Sequence, residues 1–298
     1  MQPKGVYFDE NVVTSWSDLS ERHYLEEIFK ALDENHNFFS THQIHVRSSN
    51  PGNDPIPFSP NDDPDKKRVL IYLSESKLKT LPHWITKNYE ISFRHHNPQD
   101  SSQVLAFPHG YEKSTADFDT VVPWSDRNIN VFFSGALNEH RMSFYKEIFG
   151  KKIIPNKVLL KLLKSKFKGH FDFQHRSNGM DIQFNNGWKT GLNAKEYSEK
   201  LSHCKISVCA RGYFSPESFR HHESMRLGCI VISDLLPDTW LYKDSPIIQL
   251  ASWRDFNKTV KSLLESEEEC FELHHRSLEW WEKKWSPEAV AKRMAERI

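Results

Sequence analysis

The chain has 298 residues, enough for one large domain or two moderate ones of roughly 100–200 residues each. Lys plus Arg and Asp plus Glu each total 40, so no global field exists to recruit nucleic acid or an anionic membrane surface. The four cysteines, Cys204, Cys209, Cys229 and Cys270, are too few for a disulfide framework and read as small buried hydrophobes of a reducing compartment.

The opening "MQPKGVYFDENVV" lacks an apolar signal core, and no run approaches the roughly 18 apolar residues of a membrane span. A soluble, cytoplasmic protein is the expectation, unless an anchor lies outside this sequence. "LSERHYLEEIFKALDEN" carries Leu19, Tyr24, Leu25, Ile28, Phe29 and Leu32 at helical spacing. "SSNPGNDPIPFSPNDDPDKK" (48–67), rich in Pro, Asn and Asp, reads as a loop. "RVLIYLSE" (68–75) is a short continuous apolar run, the mark of a buried parallel strand. "YEISFRHH" and "QVLAFPHGY" are further strand candidates, and the polar "VVPWSDRN" (121–128) marks a boundary between domains 1–127 and 128–298.

"INVFFSG" (129–135) starts a new cycle of strand, glycine turn and helix from about Glu139. "KVLLKLLKSKFKGH" (157–170) reads as an amphipathic surface helix, with an anion-binding patch as the alternative. "KEYSEKLSHC" is a helix feeding the strand "KISVCA" (205–210), and a loop, a helix and the strand "GCIVISD" follow. Trp280, Trp281 and Trp285 stand at helical spacing, as core aromatics do, and "SPEAVAKRMAERI" is a helix with Ser286 as N-cap and Pro287 at its first position. Strand–helix–strand repetition predicts an α/β fold with parallel sheets covered on both faces. The last helix is free to pack back on the first domain.

In open parallel sheets, ligands lie outside the carboxyl ends of the strands. "RGYFSPES" (211–218) is such a loop after "KISVCA", and the helix starting near Ser218 aims unpaired N–H groups and a positive dipole end there. Arg211 and Arg220 are suited to charge-assisted bonds with a diphosphate. Glu223 is suited to accept from ribose hydroxyls, and Gly228 to turn the chain tightly into the next strand. The competing reading makes Arg220 and Glu223 an exposed i,i+3 ion pair.

The run "SFRHHESMRLGCIVISD" resembles the signature of exostosin-like glycosyltransferases, approximately S-x-R-x-x-E-[AS]-x-x-x-G-C-I-P-V-I-I-S-D. Ser218, Arg220, Glu223, Ser224, Gly228, Cys229 and Ile230 match in place. Val231, Ile232, Ser233 and Asp234 match only after a gap, which leaves the strand's register open. "NVFFSGALNEHR" (130–141) resembles the opening of that family's nucleotide-binding half and makes Arg141 a candidate for the donor phosphate. The resemblance, over residues 129–250, implies the GT-B architecture: two Rossmann-like domains with parallel sheets facing a cleft. It implies a nucleotide-sugar donor held by the second domain, a glycan acceptor, no cofactor and no obligatory metal. A UDP-sugar is the first expectation, and a hexosyl- or pentosyltransferase the activity.

The first domain resembles, more loosely, the acceptor domain of α1,3-fucosyltransferases through "LSESK…NYEISFRHHN…FPHGY". Glu75, Asn88, Ser92, Arg94 and Gly110 fall on matching positions, and Lys77 stands where that family has Pro. This implies Glu75 as general base for an inverting transfer, with His95, His96 and His109 lining the acceptor pocket. Asp9 and Asp18 are lesser candidates for the base, and the alternative for Glu75 is a helix cap. A GDP-fucose-type or CMP-sugar transferase, or a non-catalytic sugar- or nucleotide-binding module, remains open. Adjacent histidines diverge on either a strand or a helix, so His95–His96, His221–His222 and His274–His275 chelate one zinc poorly. His221 or His222 is placed beside the donor, and "QFNNGWKTGLN" (183–193) reads as a loop near its base.

Overall fold

A computed structural model describes residues 5–8, 19–49, 63–74, 87–112, 120–150, 154–167, 172–187 and 190–298. Two α/β units are present, Met1–Lys113 with Pro237–Ser245 and Glu282–Ile298, and Ser114–Leu236 with Pro246–Trp281.

The first unit holds a five-stranded sheet in the order β1 (Val6–Phe8), β2 (His42–Ser49), β3 (Lys67–Ser74), β4 (Ile91–Arg94) and β5 (Val104–Ala106), parallel throughout. β3 is the sheet's centre because its residues Val69 to Leu73 are apolar and buried. β2 falls in "HQIHVRSS", a strand the sequence reading did not name. The 48–67 loop is therefore shorter than expected at both ends.

Helix α1 (Arg22–His36) buries Tyr24, Leu25, Ile28, Phe29 and Leu32 and ends at Asn37, whose left-handed φ of 47° closes the helix. Tyr24 Oη donates to the Trp285 carbonyl at 2.6 Å, and Trp285 Nε1 donates to the Leu241 carbonyl at 3.1 Å. Trp240 Nε1 in turn donates to the Ala106 carbonyl at 2.8 Å. These buried bonds tie the two late segments to the first sheet and its helix. The helix α8 (Pro287–Arg297), with Ser286 capping the Ala289 N–H, packs on α1.

The second unit holds a six-stranded sheet in the order β11 (Ile248–Leu250), β10 (Ile230–Asp234), β9 (Cys204–Cys209), β6 (Ile129–Ala136), β8 (Met180–Asn185) and β7 (Asp172–Ser177). All its pairings are parallel except the β7–β8 hairpin. That hairpin turns on Asn178 and Gly179 at φ 53° and 75°, the Asn-Gly pair that favours a two-residue turn. The sequence reading missed it, and Gln183 to Asn185 belong to a strand rather than a loop.

Helices α2 (Met142–Phe149), α3 (Asn156–Lys166), α4 (Ala194–Ser202), α5 (Phe219–Arg226), α6 (Phe256–Leu264) and α7 (Glu267–Trp280) surround this sheet. Phe133, Phe144, Phe184, Trp253 and Phe256 form an aromatic core with ring centroids 4.8–5.4 Å apart for the pairs around Phe144. All four cysteines are free and buried. Of the three tryptophans expected in the core, Trp281 and Trp285 are buried and Trp280 is half-buried. No described helix is long and apolar enough to cross a membrane.

Candidate active site

The strands β6, β9 and β10 run parallel, so their carboxyl ends share one edge of the second sheet. β6 gives way there to Leu137 and Asn138, whose Oδ1 accepts the Arg141 backbone N–H at 3.0 Å and shapes the turn into α2. Arg141 is 5% exposed. Its Nη1 donates to the Ala136 carbonyl at 2.7 Å, while Nε and Nη2 donate to the Ala210 carbonyl at 3.2 and 3.1 Å. One guanidinium thus bridges the ends of two neighbouring strands.

Arg220, from the first turn of α5, reaches the same place. Its Nη2 donates to the Ser134 carbonyl at 2.9 Å, and its guanidinium lies over the Phe133 and Tyr197 rings at 5.8 and 6.0 Å. Between the two arginines stands Gly135. A Cβ there would lie 2.9 Å from Arg220 Nη2 and 3.0 Å from Arg141 Nη1. Burial, and then the neighbouring Arg220 charge, lower the Arg141 pKa to about 9. Both arginines hydrogen-bond only carbonyl oxygens, and the Asp234 charge, weaker in its effect than burial or Arg220, acts on Arg141 without a hydrogen bond.

Ser218 is the N-cap residue of α5, as expected, but its Oγ lies 3.3 Å from His221 Nδ1 instead of capping the helix. Arg211 donates its backbone N–H to Asp234 Oδ2 at 2.7 Å, and its Nη2 to the Phe214 carbonyl at 3.3 Å. Asp234 also accepts from Trp253 Nε1 at 3.0 Å, which fixes its carboxylate at the end of β10. Glu223 is buried rather than solvent-exposed, so the open-surface ion pair with Arg220 does not describe it. Tyr197, whose pKa is raised well above normal by burial and secondarily by the Glu223 charge, is its electrostatic neighbour.

The gap in the signature does not disturb the sheet, because β10 pairs Ile230 with Ile206 and Ser233 with Cys209. His221 belongs to the core: its Nε2 meets Ser233 Oγ at 2.8 Å, and burial lowers its pKa to about 4. Ser224 Oγ donates to Ser207 Oγ at 2.7 Å, which gives that matched position a packing role. A Cβ on Gly191 would meet Asn185 Nδ2 at 2.7 Å and Ser134 Oγ at 3.9 Å, so the 190–193 stretch reaches the β6 end. Gly135, read from sequence as a turn glycine, lies inside β6, and Asn138 and Tyr197 were missed in the sequence. The signal for Gly135 was its place at the end of a buried strand, whereas Tyr197 looked like an ordinary helix residue.

In the first unit, His95 and His96 follow β4, and His109 follows β5. The His95–His109 and His96–His109 ring centroids are 4.2 and 4.5 Å apart, so the three imidazoles named from sequence form one cluster. His95 stacks on Phe107, and its Nδ1 lies 3.9 Å from Glu21 Oε1. Burial, with the adjacent His96 second, lowers the His95 pKa to about 3, so its ring is neutral near pH 7. Glu75, Asp9 and Asp18 lie outside the described residues. Among the described residues, no group of three or more His, Cys, Asp or Glu is arranged to hold a metal ion.

No family model and no curated protein sequence matches this chain. Among solved structures, similar ones include AviGT4, a glycosyltransferase involved in avilamycin A biosynthesis, at TM-score 0.47 and 10% identity over 94% of this chain and 89% of that one. A glycosyltransferase from Rickettsia africae ESF-5 gives 0.45 and 10% over 92% and 80%. S. aureus MnaA with UDP gives 0.38 and 8% over 95% and 79%. Likenesses this weak assign no function to this chain.

Proposed function

We propose that this chain is a glycosyltransferase that moves a sugar from a nucleotide-diphosphate sugar to a glycan hydroxyl. One observation carries the proposal: two guanidinium groups, one almost wholly buried, converge on Gly135 at the carboxyl edge of a parallel sheet and hydrogen-bond only carbonyl oxygens among the described residues. A desolvated charge held beside a second, half-buried like charge is unfavourable by itself, and a diphosphate offsets that cost. With the α5 N–H groups they stabilise charge on the leaving diphosphate, a role a metal fills in other transferases.

Arg141, Arg211, Ser218 and Arg220 are assigned to the diphosphate end and Glu223 to the ribose. A UDP-sugar is favoured over a GDP- or CMP-sugar because the closest motif resemblance is exostosin-like. The His95, His96 and His109 cluster is assigned to the acceptor. Glu75 is the proposed general base of an inverting transfer, deprotonating the acceptor hydroxyl as the new glycosidic bond forms. Intact turnover in a folded Glu75→Gln variant would remove it from the mechanism.

Calorimetric titration with UDP, GDP and CMP tests the donor assignment. UDP should bind most tightly, and Arg220→Ala should weaken it roughly 10- to 100-fold, the size of one charge-assisted hydrogen bond. Equal affinity in the variant would overturn the site. Slow donor hydrolysis without acceptor separates a transferase from a module that only binds nucleotide or sugar.

A further inference from the structure

The balanced net charge hides a strongly one-signed element. Helix α3 and its flanks, residues 154–167, contain Lys157, Lys161, Lys164 and Lys166 and no Asp or Glu. Its inner face is accounted for: Leu159 is buried, and Leu160 and Leu163 pack against the aromatic core. Its outer face is not what solvation alone would select. Val158 is 48% exposed and Leu162 is 54% exposed.

At about 100° per residue, Val158 and Leu162 lie one turn apart on the same outward stripe. Lys157, Lys161 and Lys164 flank that stripe on one side, and Lys166 on the other. Beside it lies a surface depression of about 530 Å³ lined by Lys157, Leu160, Lys161, Lys164, Ser165 and Glu139. Glu139 pairs with Lys157 at 3.5 Å, leaving Lys161 and Lys164 as the cations with no acidic neighbour in that lining. Single exposed aliphatic side chains are ordinary on a protein surface. An exposed aliphatic stripe bordered on both sides by lysine, on a helix with no acidic residue, is the pattern of a helix lying in a membrane interface.

We propose that the outer face of α3 docks the protein on an anionic phospholipid bilayer. Val158 and Leu162 enter the boundary between headgroups and acyl chains, while the lysines pair with lipid phosphates and snorkel outward. A bilayer fits better than nucleic acid, which gives two aliphatic side chains no apolar environment. It also fits better than a second copy of the same helix, which would set lysine against lysine. The inference is independent of the donor site, since it uses no residue assigned to it.

The test is co-sedimentation of the full chain with vesicles of phosphatidylcholine alone and of phosphatidylcholine with one-third phosphatidylglycerol, at low and high salt. Binding is expected only to the anionic vesicles and should be released by salt. Lys161→Ala and Lys164→Ala should each lower partitioning roughly fivefold, as loss of one lysine near an anionic surface does. Val158→Glu combined with Leu162→Glu should abolish it while the circular-dichroism melt is retained, because both side chains are exposed. The proposal is overturned by absence of binding to anionic vesicles or by binding that these variants leave unchanged. It is equally overturned if the Glu variant instead loses self-association in sedimentation velocity or retention on immobilised nucleic acid.

Discussion

At Gly135 the approach of the two arginine side chains depends on the absence of a single carbon atom. A methyl group added there would press on Arg220 Nη2, the far end of a side chain able to shift, on Arg141 Nη1, held by its carbonyl bonds, and on the buried Phe133 ring at 3.3 Å. Gly135→Ala is therefore expected to lower the unfolding midpoint modestly and to weaken UDP binding by more, about tenfold or about 1.4 kcal/mol. Calorimetry beside a thermal melt checks both halves. An equal loss of stability would mean that the glycine serves packing, not the anion site. Arg220 was named from sequence for the same role, and its placement over Phe133 and Tyr197 explains how its stem is held. Arg141 was named too, but three bonds to strand-end carbonyls make it part of the frame as well. Its replacement would confuse binding with folding, which makes Arg220 the cleaner probe.

At the scale of elements, the junction from α5 to β10 depends on Gly228. Its φ of 72° lies in the left-handed region, and an added Cβ would sit 2.6 Å from His274 Cε1. His274 Nδ1 meets the Gly228 carbonyl at 2.6 Å, so helix α7 is latched onto this turn. Gly228→Ala should cost about 2–3 kcal/mol, combining backbone strain with the lost latch. In a His274→Ala background, where that ring and its latch are already gone, Gly228→Ala should cost only about 1 kcal/mol of strain, measured by urea unfolding. A Gly228→Ala cost below the strain alone would contradict the account. Most elements here were legible because their periodicity was strong: α1 by its buried stripe, β3 and β6 by continuous apolar runs, α8 by Ser286 and Pro287. The β7–β8 hairpin escaped notice because its first strand is largely exposed and polar. Only the Asn178–Gly179 turn announced it.

For the molecule as a whole, buried neutral histidines set the acid limit of stability. His45 and His95 in the first unit and His221 in the second have pKa values lowered by burial to about 4, 3 and 4. Above pH 6.5 these rings are neutral in both folded and unfolded chains, and burial exacts no protonation penalty. As pH falls below about 6.5 the unfolded chain takes up protons that the folded one refuses. Each group then removes about 1.4 kcal/mol of stability per pH unit until its folded value is reached. Urea unfolding from pH 8 to pH 5 should show a plateau and then a steep decline. His95→Phe, which keeps an aromatic ring against Phe107, should make that decline shallower; an unchanged slope would show that His95 is not protonated on unfolding.

Local pattern alone was enough to determine the α/β class, most strands and helices, and the free buried cysteines, whereas Arg141 was named only through a family resemblance. The former follow from periodicity, capping residues and short motifs, which act between neighbours in the chain. Only tertiary structure decided that Arg141 and Arg220 meet at Gly135, that His221 and Ser224 are core groups, and that the imidazoles of His95, His96 and His109 touch. The reason is sequence distance. Parallel strands bring residues tens of positions apart to one edge, and nothing in the chain between them records which side chains will share that edge.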